Sequence, residues 1–199
     1  MTSPTNNIAA LLGSRICHDL VSPIGAISNG VELLQMSGDA SGPEIELIHE
    51  SVENANARIR FFRIAFGVAS PQQVVGANEV RDILTSLTRN TRMEMDWQSA
   101  ADHTRADVKL IFLLLQCFEA AMPWGGHITI THSGGTWQVS GTSDRMKIRA
   151  ELWDALQNKN QNAEISASEV QFLLLPELLA MAGRSLQLEV SETGITARF

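Results

Sequence analysis

Cys17-His18-Asp19-Leu20-Val21-Ser22-Pro23 sets a thiol, an imidazole, a carboxylate and a hydroxyl within a few residues of one another. A neutral imidazole is nucleophilic: it can take a phosphoryl group in line and yield it again to a carboxylate. Such an exchange needs an exposed ring, a fixed ring orientation and room for a donor. Asp19 is the candidate to hold or tune the ring, because successive helical residues are offset by about 100° and a contact is within reach. Cys17 and His18 diverge by the same offset, which argues against a thiol–imidazole pair. His49, His103, His127 and His132 show no metal-like spacing with Cys17 and Cys117. Trp97, Trp124, Trp137 and Trp153 read as core and edge packing rather than a base-stacking platform.

The elements that must position His18 are helical. Apolar residues fall at Ile16, Leu20, Ile24, Ile27, Val31 and Leu34, and again at Ile45, Ile48, Val52, Ala55, Ile59, Phe62 and Phe66. The second series alternates steps of three and four, the heptad stripe of a bundle seam. Between them lie the turn formers Ser37-Gly38-Asp39-Ala40-Ser41-Gly42-Pro43, so the helices are expected as antiparallel neighbours. The first seam averages roughly 165–200° from His18 on a helical count, which turns the imidazole away from the core. Arg15, Ser22, Gly25 and Asn29 share its face. Glycine inside a helix costs about 1 kcal/mol against alanine, and close approach of another protein is one reason to keep Gly25. Two helices cannot bury such stripes alone. The expectation is pairing with a second copy into a four-helix bundle, hence a homodimer; the alternative is a hairpin packed on the rest of its own chain. The acids Glu44, Glu46, Glu50 and Glu53 read as a solvated helix face.

Beyond residues 67–71 the pattern changes. A helix capped by Asn78 is expected to run to about Thr91, followed by a strand in which Met93, Met95 and Trp97 alternate with polar residues. A very apolar helix is expected over 107–122, strands over 127–131 and 136–140 around Ser133-Gly134-Gly135, and helices near 148–158 and 168–182, the last closed by Gly183. Strands over 186–190 and 195–199 finish the chain. Helices layered on a mostly antiparallel sheet make an α+β fold, with a helical hairpin over 1–70 and an α/β sandwich over 71–199.

The 199 residues are 44% hydrophobic and carry a net charge of −7, values of a globular protein without the basic face of a nucleic-acid binder. No apolar stretch approaches the roughly 18 residues that a membrane span needs. Two cysteines build neither a disulfide framework nor a four-cysteine zinc site. A reducing cytoplasm is the expected location, with neither membrane nor nucleic acid as a partner.

The string Cys17-His18-Asp19-Leu20-Val21-Ser22-Pro23-Ile24 resembles the H box of sensor histidine kinases, where histidine is followed by an acid, an aliphatic residue and a Thr/Ser-Pro step. Arg15 and Gly25-Ala26-Ile27 fit that setting, and Pro23 implies a slight bend. The hairpin is similar to the family's dimerisation and phosphotransfer domain, and 71–199 is similar in element order to its ATP-binding domain. In those kinases the second domain uses asparagines that help to hold magnesium, an aspartate for the adenine amino group and a glycine-rich lid. Here Gln116 and Ala120 stand at the two asparagine positions, and Val139-Ser140-Gly141-Thr142-Ser143-Asp144 matches the aspartate strand end only faintly. Residues 163–169 contain no glycine, and no GxxxxGK[ST] loop occurs. Neither ATP binding nor autokinase activity is therefore expected. An intact H box beside an eroded, degenerate ATPase domain looks like the ChpT-type histidine phosphotransferases, as does Glu119-Ala120-Ala121-Met122-Pro123-Trp124-Gly125-Gly126. The resemblance implies a dimer that accepts phosphate at His18 from the receiver domain of a hybrid kinase and donates it to response regulators. It implies a tuning role for Asp19 and a docking strip of Arg15, Ser22, Gly25 and Asn29. No cofactor belongs to the chain itself; Mg²⁺ comes with the partner receiver domain. The alternative is a non-catalytic dimeric adaptor that binds and inhibits a response regulator.

Overall fold

A computed structural model describes residues 4–37, 43–70, 72–157 and 164–199. The chain opens with helix α1 (Pro4–Ser37) and helix α2 (Pro43–Ala65). Residues 38–42 of the expected turn lie outside the described residues. Pro43 occupies the first turn of α2, where its missing N–H costs nothing, and Glu44 and Glu46 oppose the helix dipole there. The two helices run antiparallel: Asp19 of α1 meets Arg58 of α2, and Gly30 meets Ile48. A Cβ on Gly30 would fall 2.6 Å from Ile48 Cγ1, so the closest approach depends on glycine.

The heptad stripe of α2 divides in two. Ile48 and Ala55 are half-buried and Phe62 is buried, whereas Ile45, Val52 and Ile59 are 40%, 40% and 50% exposed. Ile24 and Val31 of α1 are open as well.

The second half is built on a five-stranded sheet of order β2-β4-β5-β7-β6, formed by β2 (Met93–Trp97), β4 (Gly126–Ser133), β5 (Thr136–Thr142), β6 (Gln187–Val190) and β7 (Gly194–Arg198). Only the β2–β4 pair is parallel. The β4–β5 hairpin turns through Gly134 and Gly135 at φ 58° and 82°, a conformation that favours glycine. A two-stranded sheet of β1 (Val74–Val75) and β3 (His103–Thr104) was not expected; two-residue strands carry no period to read.

Helices α3 (Ala77–Thr88), α4 (Arg105–Ala121), α5 (Ala150–Leu156) and α6 (Gln171–Met181) complete the α+β fold. The cap expected from Asn78 is instead supplied at long range: Asp102 Oδ1 accepts the Ala77 N–H at 3.0 Å, while Asn78 accepts from Arg81. The helix expected over 168–182 is split into a 3-10 turn, Ala167–Glu169, and α6, with Gly183 closing it at φ 66°. Within the described residues the helix expected near 148–158 is one turn shorter; Asn158 lies outside them.

Helix α4 is apolar all round through its middle, and residues 110–118 are buried accordingly. It lies on β5 so closely that a Cβ on Gly141 would fall 2.6 Å from Phe118. Phe61 of α2 stacks on Phe112 of α4 with ring centroids 4.4 Å apart, a contact worth about 1 kcal/mol beyond its burial. The last turns of α2 thus belong to the core of the second half, and the hairpin is rooted in it. Trp97, Trp137 and Trp153 are buried, whereas Trp124 is exposed beneath Arg145. No helix among the described residues is long and apolar enough to cross a membrane.

Candidate functional site

Helix α1 carries His18 to the surface with its side chain 82% exposed, while the adjacent Asp19 is only 10% exposed. His18 Nδ1 lies 3.1 Å from Asp19 Oδ1. An ionised carboxylate can only accept, so this contact puts the proton on Nδ1 and leaves Nε2 with its lone pair. Pro23 has no N–H to give the carbonyl four residues back, which is that of Asp19, so the helix is loosened at the site.

Asp19 is held from behind. Arg15 Nε, one turn earlier, donates to Asp19 Oδ2 at 2.7 Å, and Arg58 Nη1 of α2 approaches the same oxygen at 3.9 Å. Arg58 also donates to Asn54 Oδ1 at 2.9 Å. Arg15 Nη1 reaches across to donate to the backbone carbonyl of Ser168 in the 3-10 turn. Glu119 of α4 faces the cluster; it meets solvent on one side, but the protein around it pushes its carboxyl above the usual range. The Asp19 charge adds to that rise, and the Arg15 and Arg58 guanidinium groups oppose it. Arg15, Asp19, Arg58, Gln116 and Glu119 line one small chamber behind His18, walled by Phe61 and Phe62.

Ser22, Gly25 and Asn29 lie exposed along α1 beyond His18. A Cβ on Gly25 would meet nothing within 4 Å, so the chain's own packing does not require that glycine. Arg15 is not part of this open strip: at 16% exposure it is turned inward onto Asp19. Of the residues at the expected asparagine positions, Gln116 is buried with its amide in the chamber and Ala120 is exposed. The acid face of α2 is not wholly solvated, since Glu53 pairs with Arg89 and Asn90 donates to Glu50, both at the end of α3. Arg58 and the Ser168 carbonyl were invisible to sequence reasoning. Arg58 sits in a polar stretch of α2 with no motif, and a backbone carbonyl has no sequence signal. Cys17 is exposed and Cys117 buried, and burial pushes the Cys117 thiol well up. Among the described residues no three His, Cys, Asp or Glu side chains gather as a metal set.

The site is an exposed histidine, held by an aspartate, on a helical hairpin rooted in an α/β half, and comparison with known proteins supplies the family. Residues 77–194 match the model of the histidine phosphotransferase C-terminal domain. The chain belongs to that family and is of the ChpT type. It is 39% identical over 130 residues to "Protein phosphotransferase ChpT" of Brucella abortus (strain 2308), an alignment that covers 64% of this chain and 62% of that protein. The match therefore spans less than two thirds of that relative's length. A solved bacterial phosphotransferase superposes with a TM-score of 0.79 at 28% identity, covering 100% of this chain and 98% of the other. A weaker likeness, with a TM-score of 0.46 and 12% identity, is to the histidine kinase domain from Erythrobacter litoralis EL346 blue-light activated histidine kinase, over 97% of this chain and 91% of that one.

Proposed function

We propose that this protein is a histidine phosphotransferase of a two-component phosphorelay, taking a phosphoryl group onto His18 from a receiver-domain aspartate and passing it to a response regulator. The observation that carries this reading is an imidazole 82% exposed whose Nδ1 is held by a half-buried Asp19. In the transfer, Nε2 attacks phosphorus in line as the bond from phosphorus to the aspartyl oxygen breaks and the aspartate leaves as a free carboxylate. Nδ1 keeps its proton, and Asp19 balances the positive charge that the ring gains. The reverse step delivers the group to a second aspartate. The exposed small residues Ser22 and Gly25, with Asn29, give a receiver domain room to come close. Mg²⁺ belongs to the receiver's acidic pocket, and no step uses ATP.

The working unit is a homodimer. Ile45, Val52 and Ile59, with Ile24 and Val31, leave an apolar stripe of heptad spacing open on the hairpin, and a second hairpin covers it as a four-helix bundle.

The test mixes the full chain with a ³²P-phosphorylated receiver domain and Mg²⁺. The expected result is acid-labile, base-stable label on this chain that His18→Ala abolishes. Label that survives His18→Ala overturns the site. Stable binding of the receiver without any label supports instead a dimeric adaptor that blocks a response regulator.

A further inference from the structure

The chamber behind His18 holds groups that phosphoryl exchange does not itself touch. Arg15 grips two things at once: Asp19 Oδ2 through Nε at 2.7 Å, and the Ser168 carbonyl through Nη1. Asp19 in turn meets His18 Nδ1 at 3.1 Å. A single guanidinium thus joins the backbone of the second half to the carboxylate that orients the imidazole. Its planar fork serves both partners, which the point charge of a lysine does not. The Ser168 end is itself fixed. Ser166 and Glu169 form a reciprocal capping box, and Arg149 grips Glu169 from the start of α5.

Two further groups close the chamber. Arg58 stands 3.9 Å from the same Asp19 oxygen, and Glu119 faces both arginines from α4. Gln116 is 2% exposed, and neither its amide nitrogen nor its oxygen has a hydrogen-bond partner among the described residues. The chamber, of ≈ 40 Å³, has room for water.

We propose that Arg15 is a positioning residue: by spanning Asp19 and the Ser168 carbonyl, it holds the His18 ring in its Nδ1-protonated form and makes that state depend on the seating of the α/β half against the hairpin. The α/β half thereby acquires a use that needs no nucleotide. This rests on reading His18 as the phosphoacceptor, and the experiment separates the two.

The full chain is prepared with ¹⁵N-labelled histidine, and the His18 ring resonances are identified by their loss in His18→Ala. Two readouts follow: the Nδ1/Nε2 tautomer signature at a fixed pH where the ring is neutral, and the rate of His18 labelling by phosphoramidate, a small donor that needs no docking. Arg15→Gln and Arg15→Lys should both give a mixed tautomer and slow labelling about tenfold, the scale of one lost hydrogen bond to a charged group. Glu169→Ala, remote from Asp19, should act in the same direction by about threefold, because it frees only the Ser168 end. Wild-type tautomer and rate in Arg15→Gln, or full rescue by lysine, overturn the proposal even if the melting temperature falls. Should Arg15→Gln fail to fold, Arg15→Lys and Glu169→Ala decide by the same readouts. A wild type labelled by phosphoramidate but never by a receiver domain overturns the relay and leaves this test standing. A wild type labelled by both, with indifferent Arg15 variants, overturns the positioning role alone. If phosphoramidate does not label the wild type, the tautomer signature decides.

Discussion

The two halves of the chain finish their apolar surfaces differently. In the α/β half, the middle of α4 is apolar all round, and sheet, α2 and α6 enclose it: Ile111 to Leu115 are wholly buried within one chain. In the hairpin the seam is only half used. One heptad position, Ile48, Ala55 and Phe62, faces inward, while the other, Ile45, Val52 and Ile59, stays open. The contrast separates a core that the chain completes by itself from a seam that one chain leaves half open. The open stripe lies on the half that carries His18, so whatever covers it also fixes the platform of the histidine.

The hardest test of this contrast is to charge the open stripe. Val52→Glu should abolish pairing, since an unpaired carboxylate would be buried from each protomer at a cost of several kcal/mol. Light scattering should find a dimer for the wild type and a monomer for the variant, with the melting transition of the α/β half retained. A monomeric wild type would end the contrast. The converse change is Leu114→Ala in α4, which should cost about 2–5 kcal/mol through the cavity it leaves. Its urea midpoint should fall while the dimer persists. If Leu114→Ala also dissociated the dimer, the two cores would be one cooperative unit.

How far the sequence revealed these halves follows from the range of the interactions concerned. Periodicity reports a single element, so the heptads of α2, the very apolar α4 and the alternation at Met93, Met95 and Trp97 were legible. Turn chemistry is also local, and Gly134-Gly135 and Gly183 sit where their left-handed angles demand glycine. What periodicity misses is long-range capping: Ala77 takes its cap from Asp102, while the neighbouring Asn78 accepts from Arg81. The site shows the same division. The His18–Asp19 contact joins adjacent residues and the exposure of Ser22, Gly25 and Asn29 follows one helix face, so both were legible. Arg15 was placed on that strip because a helical wheel assigns a direction to the Cα alone. A long side chain swings from there to a charge within reach, and Asp19, one turn on, is that charge. Arg58 and Glu119 join only once α2 and α4 are docked.

Two glycines on α1 give the finest comparison, because they share a helix and differ in what faces them. Gly30 lies against Ile48, where an added Cβ would approach to 2.6 Å. Gly30→Ala should therefore force the two helices apart and cost about 1–3 kcal/mol. Gly25 faces open space and pays only the backbone entropy of a helical glycine. Gly25→Ala should stabilise the chain by up to about 1 kcal/mol, seen as a rise in melting temperature. The same methyl lies on the strip beside His18, so it should slow phosphoryl transfer from a receiver domain while leaving labelling by phosphoramidate unchanged. Equal slowing by both donors would mean that Gly25 acts on the helix that holds His18. Slowing by the receiver alone would mean that the glycine is kept for the approach of another protein, at the expense of the helix.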